Sequence, residues 1–167
     1  WLSEFTRLAR PLFKAAGSPL PKTVRCSVGF PSKGSKSKVI GECWSTEVSA
    51  DKITEIFLRP SLQSDTSRIA DVLTHELCHA ALGLDAGHGP QFKKLAHAMG
   101  LEGKMTATVA GKGWHVWADP IIKHLGPLLV VWGAAMFMLV FIRDLGSSLM
   151  YFGGFLALLY IATNRIS

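Results

Sequence analysis

The spacing of hydrophobic residues predicts strands in the first third of the chain and helices after it. Apolar and polar residues alternate from Thr23 to Phe30, which indicates a strand with one buried face. Val39 to Ser45 and Ile53 to Leu58 are two further strand candidates. From Arg68 to Leu84 the apolar residues instead recur with a helical period. They are Ile69, Val72, Leu73, Leu77, Ala80 and Leu84.

Glycine and proline residues predict where the helices begin and end. A first helix is predicted from Ser3 to Ala16, because Gly17-Ser18-Pro19 follows it. The helix that begins near Arg68 is expected to end at Gly83 or Gly87. A further helix is predicted from Pro90 to Gly100, since proline suits a first helical turn. Residues 101–120 show no regular period and are predicted to be irregular.

The chain becomes uniformly apolar after residue 120. Leu125 to Ile142 and Leu145 to Thr163 contain no charged residue, and only Arg143 and Asp144 separate them. Each run approaches the length that crosses a bilayer core of roughly 30 Å, which predicts a transmembrane helical hairpin over residues 125–163. Because two residues cannot reverse a helix, the hairpin is expected to be short, tilted or packed against partner subunits. A buried helical pair in an oligomer is the alternative.

The charged residues and cysteines exclude few functions. The formal charge is +6, which is compatible with nucleic acid, an anionic membrane surface or a solvated face. The three cysteines form no C-x-x-C pair, so a zinc ribbon or finger is excluded. No signal peptide is visible, and Trp1 in first position is expected of a processed or fragmentary chain.

The strongest chemical signal is the sequence His75-Glu76-Leu77-Cys78-His79. Two histidines four positions apart project from one helical face, about 6 Å from each other, so both imidazoles can bind one metal ion. Glu76 follows the first histidine and can accept a proton from a water on Zn²⁺, whose pKa the metal lowers toward 7. His88 lies between two glycines shortly after the helix and can complete the ligand set.

These motifs resemble the SprT-like zinc metallopeptidases, which include bacterial and phage members and the eukaryotic Spartan protease. The matching segments are His75 to Ala80, Gly87 to Phe92, Gly41 to Trp44 and Gly100 to Thr108. The resemblance covers about residues 23–127. It implies that His75, His79 and His88 bind zinc, that Glu76 is the catalytic base, and that peptide bonds are hydrolysed. In Spartan the substrates are proteins crosslinked to DNA.

The expected architecture is therefore α+β and zincin-like. A SprT-like domain at residues 1–120, with a small sheet packed on the metal-binding helix, precedes the hydrophobic tail at residues 121–167. The tail departs from many SprT-like proteins, which continue into a zinc ribbon, so a role on DNA cannot simply be carried over. It is either a genuine membrane anchor or the product of a frameshifted or chimeric reading frame.

The expected partners are a protein or peptide substrate, DNA-associated substrate proteins, and a membrane bound through residues 125–163. All but two of the 18 Lys and Arg residues precede the apolar runs, which favours a cytoplasmic catalytic domain anchored to the cytoplasmic membrane. Two rivals remain open. One is a non-catalytic zinc-binding scaffold tethered to a membrane, and the other is a membrane structural protein whose soluble part is a relic.

Other residues carry weaker hypotheses. Asp71 and Asp85 are candidates for holding an imidazole N–H, although capping or solvent-facing roles are favoured for both. Met105 is a candidate floor for the metal, although a core position is favoured. An extended peptide is expected to add to a sheet edge, but the sequence does not say which strand forms that edge.

Overall fold

The computed structural model describes residues 1–30, 32, 34, 38–62, 64–124 and 150–158. Its contacts divide the chain into two units, Trp1–Leu125 and Gly126–Ser167. In the second unit the described residues, 150–158, are helical. The first unit contains all the elements discussed below.

The first unit mixes helices and short strands, as the α+β prediction requires. The elements are α1 (Leu2–Ala15), β1 (Val24–Val28), β2 (Gly41–Trp44), β3 (Thr54–Leu58), α2 (Thr66–Leu82), α3 (Pro90–Ala98), β4 (Leu101–Lys104) and β5 (Ala107–Ala110). Short 3-10 turns follow β3 at Pro60–Leu62 and α2 at Leu84–Ala86. A helix at residues 112–124 follows β5. The three strands and three helices predicted before residue 100 are thus confirmed.

The main sheet has three strands in the order β1-β3-β2. Strand β1 runs parallel to β3, and β2 runs antiparallel to it. The central strand buries Thr54, Ile56 and Leu58 on one face, because successive side chains of a strand point to opposite sides. Among the described residues, strands β1 and β2 are therefore the two edges of this sheet. The sequence alone did not show which strands form the edges.

Helix α2 is the element around which the domain packs. The carboxylate of Asp65 accepts a hydrogen bond from the Arg68 backbone N–H at 2.8 Å and caps its first turn. The helix ends at Gly83, whose φ of 82° favours glycine. Between these residues α2 contacts β2, β3, α1, α3 and β5. Such enclosure explains why most of its residues are buried.

The prediction that residues 101–120 are irregular is wrong. They form the β4–β5 hairpin and the start of the helix at 112–124. Each strand of the hairpin has four residues and only one buried side chain, Leu101 or Thr108, so the alternation is too short to be read. Trp114 is fully buried and its indole N–H donates to Thr74 Oγ1 at 3.0 Å, which ties the last helix to α2.

The chain approaches itself most closely at Gly100. A β-carbon on this residue would lie 2.1 Å from the backbone nitrogen of Trp114, and its φ of 79° also favours glycine. The bare backbone at this position lets α3 and the helix at 112–124 come together.

The predicted hairpin at residues 125–163 lies outside the described residues except for 150–158. Among the residues that the structure describes, no helix is both long enough and apolar enough to cross a membrane.

Candidate metal centre

Three histidines converge beside the C-terminal half of α2. His75 and His79 are one helical turn apart on this helix, and His88 follows the turn at Leu84–Ala86. Gly87, with a φ of 50°, provides the change of direction that brings His88 back toward the helix. The structure therefore brings together the three residues that the sequence selected as ligands.

The spacing of the imidazoles fits a zinc ion. His88 Nε2 lies 3.2 Å from His79 Nε2 and 3.3 Å from His75 Nε2, and the three ligand atoms all lie within 4.8 Å of one another. Ligands bound tetrahedrally at about 2.0–2.1 Å from zinc lie about 3.3 Å apart. Nitrogen atoms at this separation can bind one metal ion together.

Phe92 forms the apolar floor of the histidine cluster. Its ring is fully buried in α3, and its centroid lies 4.4 Å from that of His79 and 4.9 Å from those of His75 and His88. Close packing on one aromatic ring restricts the rotamers of all three imidazoles. Met105, the candidate floor from the sequence, packs instead against the hydrophobic core.

The far nitrogen of His75 is held by the hairpin. His75 Nδ1 lies 2.8 Å from the hydroxyl of Thr108, which is 6 % exposed on β5. If Nε2 is the metal ligand, Nδ1–H donates to Thr108 Oγ1 and fixes both the tautomer and the ring orientation. The candidates from sequence lie elsewhere: Asp71 is buried against Arg68, and Asp85 is exposed.

Burial keeps the two helical histidines neutral. Desolvation, followed by the charges of the neighbouring imidazoles, lowers the pKa of His75 to about 3. Desolvation and His88 lower the pKa of His79 to about 4. Neutral imidazole is the form that binds a metal, so these rings stay competent as ligands well below neutral pH.

Glu76 lies in the wall next to the histidines and is only 6 % exposed. Burial, followed by the charge of Glu42, raises the pKa of Glu76 to about 8, while a hydrogen bond from the Cys43 backbone N–H opposes that rise. A carboxyl group with a pKa near neutrality exchanges protons readily at physiological pH.

Strand β2 approaches Glu76 closely because residue 41 is glycine. A β-carbon at Gly41 would lie 2.7 Å from Glu76 Oε1 and 2.7 Å from Val72 Cγ1. The missing side chain lets the strand backbone lie directly against the carboxylate. The same strand donates the Cys43 N–H, so β2 fixes the position of Glu76.

A cavity of about 610 Å³ opens over these groups. Strand β2 and the preceding residues form one wall, and Thr106 to Thr108 of the hairpin also line the cavity. Helix α2 lines the cavity from Arg68 to His79. Leu84 and His88, which follow this helix, also line it. The candidate ligands and Glu76 thus face a single open cleft.

Comparison with known proteins agrees with this arrangement. A sequence model of the SprT-like family matches residues 5–122, which is most of the chain and includes the three histidines, Glu76, β2 and the hairpin. The chain belongs to the SprT-like family. The resemblance inferred from the histidine motifs is therefore confirmed at the level of the family.

A second similarity is partial. Sixty residues of the chain are 40 % identical to the peptidoglycan glycosyltransferase RodA of Mycobacterium leprae (strain TN) and to RodA of Mycobacterium tuberculosis (strain ATCC 25618 / H37Rv). The match covers 36 % of this chain and only 13 % of each RodA protein, so the chain spans a small part of these relatives. No solved structure matches the chain.

Sequence reasoning missed three residues that shape the centre. Thr108 and Phe92 lie within segments that carry the family resemblance, but nothing in their spacing relates them to the histidines. Gly41 lies in a third such segment, where a glycine inside a predicted strand signals a close backbone approach.

Proposed function

We propose that this SprT-like chain is a zinc-dependent peptidase in which His75, His79 and His88 hold the metal and Glu76 is the general base. The observation that carries the proposal is the convergence of three imidazole nitrogens, at 3.2 and 3.3 Å, beside a buried carboxylate in an open cleft. A scaffold that binds zinc needs the imidazoles but has no use for a buried acid facing the same cavity.

A bound zinc ion would act as a Lewis acid toward a peptide carbonyl and lower the pKa of a water molecule. Glu76 Oε would take a proton from that water and later return it to the leaving amine. The Cys43 N–H and the bare backbone at Gly41 hold the carboxylate in place during both transfers. Thr108 Oγ1 would accept a hydrogen bond from His75 Nδ1–H and so hold the tautomer that binds the metal through Nε2.

Strand β2 is the proposed docking site for the substrate backbone. Within the described part of the chain it pairs with β3 alone, and it lines the cavity beside the histidines. An extended peptide can add to such an edge through main-chain hydrogen bonds, which gives affinity without a strong sequence requirement. This supports a protein or peptide substrate in an extended, locally unfolded state.

The test is cleavage of a reduced and alkylated protein by the purified full chain, with zinc content measured on the same sample. The wild type is expected to contain one zinc per chain and to cleave. Glu76→Gln is expected to keep the zinc and to lose activity by at least about 100-fold, because a positioned general base contributes about 10² to 10⁴. Glu47→Gln, an exposed carboxylate away from the cavity, is the matched control.

Each assay is repeated with single-stranded and double-stranded DNA. Cleavage that needs DNA and weakens as salt rises would favour DNA-associated proteins as substrates. Equal activity of Glu76→Gln and the wild type would refute the mechanism. Stoichiometric zinc without cleavage under any of these conditions would leave the scaffold as the better account.

A further inference from the structure

The cleft contains a cation that the proposed chemistry does not use. Arg68 lies in the first turn of α2 and lines the same cavity as His75 and Glu76. About a third of its side chain, 32 %, is exposed.

The guanidinium is held in place by a buried acid. Arg68 donates from one terminal nitrogen to Asp71 Oδ2 at 2.7 Å. The Asp71 side chain is only 7 % exposed, and the same oxygen faces the Ala110 backbone N–H at 3.4 Å. The Asp71 carboxylate is buried and hydrogen-bonded to β5, so it restricts the guanidinium of Arg68. Arg68 therefore loses little further conformational entropy when it binds a ligand.

Arg68 keeps most of its hydrogen-bonding capacity. A guanidinium has five N–H donors, and the bond to Asp71 is its one side-chain hydrogen bond among the described residues. The planar donors fit a carboxylate through two parallel bonds. A cation that is anchored on one side and open to the cleft on the other is therefore suited to a carboxylate on the substrate.

We propose that Arg68 selects substrates with an acidic side chain close to the scissile bond; this inference rests on the proposed peptidase function. Arg68 precedes His75 by seven residues, which corresponds to about 10 Å along the helix axis. An extended peptide covers that distance in about three residues. The acidic residue is therefore expected within about three positions of the cleaved bond.

The other charges in the cleft favour a single carboxylate over a nucleic-acid backbone. Glu42 lines the same cavity as Arg68. A polyanion that followed the cleft would bring a phosphate near this acid, whereas one glutamate or aspartate side chain can reach Arg68 alone. Lys38 also lines the cavity and adds a second positive charge.

The experiment maps cleavage sites in a denatured mixture of proteins by mass spectrometry, using the zinc-loaded full chain. For the wild type, Asp or Glu is expected to be enriched at one position within three residues of the cut. Synthetic peptides that differ by Glu or Gln there should differ in kcat/KM on the order of tenfold, as expected for a hydrogen-bonded charge pair. In Arg68→Gln the ratio should fall to about one.

Three variants separate specificity from folding. Arg68→Gln leaves Asp71 buried without its partner, so Arg68→Gln/Asp71→Asn removes both charges and should show the same loss of selectivity. Arg68→Lys keeps the charge without the two-donor fork, and intermediate selectivity is expected. Lys94→Gln, an exposed cation of α3 that does not line the cavity, should leave the Glu-to-Gln ratio unchanged.

The outcomes distinguish this inference from the function on which it rests. Cleavage by the wild type without acidic preference, or preference that persists in Arg68→Gln, overturns the role of Arg68 and leaves the peptidase intact. If the wild type cleaves nothing, the peptidase proposal fails, and binding of the same peptides to the zinc-loaded chain decides about Arg68. Equal binding of the Glu and Gln peptides would then overturn the role of Arg68. Displacement of these peptides by an oligonucleotide that binds to the wild type but not to Arg68→Gln would also overturn it.

Discussion

Replacing Gly41 by alanine tests whether strand β2 positions the general base. The new β-carbon would lie 2.7 Å from Glu76 Oε1 and from Val72 Cγ1 and 3.0 Å from Glu76 Cγ. Non-bonded carbon atoms are separated by about 3.5–4.0 Å, so either the backbone of β2 or the side chains that face it must move by nearly 1 Å. The backbone of β2 is held by its pairing with β3, which leaves the Glu76 side chain as the part that moves.

The expected effect is large on turnover and moderate on stability. A shift of about 1 Å in a catalytic group can cost on the order of 100-fold in rate, and overpacking of this kind typically costs about 1–3 kcal/mol. The three atoms nearest to the new methyl group belong to Glu76 and Val72 and not to a histidine, so zinc binding should remain at one per chain. We expect kcat to fall much more than KM changes.

The assay measures zinc content, kcat, KM and the free energy of unfolding on the same preparations. Gly113→Ala is a suitable control, because a β-carbon there would meet only the Gly100 Cα at an ordinary 3.5 Å. A folded, zinc-loaded Gly41→Ala chain with wild-type kcat would refute the argument that the bare strand backbone fixes Glu76.

Three further predictions concern zinc affinity and the stability of the fold. Thr108→Val should weaken zinc binding by about 10–100-fold in competition with a chelator, whereas Thr106→Val, on the same cavity wall, should not. Gly100→Ala should lower the free energy of unfolding by more than about 2 kcal/mol in urea titrations, since it combines a left-handed backbone with a clash. Zinc at 100 times its Kd should raise that free energy by about 2.7 kcal/mol, and a His88→Ala chain should lose most of this gain.

The sequence predicted the elements that carry a long periodic pattern or a clear boundary. The 3.6-residue period predicted a helix from Arg68 to Leu84, which lies within two residues of the observed bounds of α2 at each end. The same helix dictates that His75 and His79 share a face, so most of the candidate site follows from local structure alone. His88 needed only a short excursion of the chain after Gly83.

Contacts between distant segments could not be predicted in this way. The bond from His75 to Thr108 joins residues 33 positions apart, and its existence depends on how the β4–β5 hairpin packs on α2. The strands of that hairpin bury one side chain each, so no alternation reveals them. No sequence pattern singles out Arg68, which lines the cleft because β2 and the hairpin pack beside α2.

The central claim is that three imidazoles bind one zinc ion, and X-ray absorption at the zinc edge of the purified full chain tests it most directly. The account predicts one zinc per chain, with a first shell of three imidazole nitrogens and one further light atom at about 2.0–2.1 Å. Loss of one imidazole from that shell is expected in His88→Ala. A sulfur shell at about 2.3 Å, or a spectrum that does not change in His88→Ala, would contradict the account.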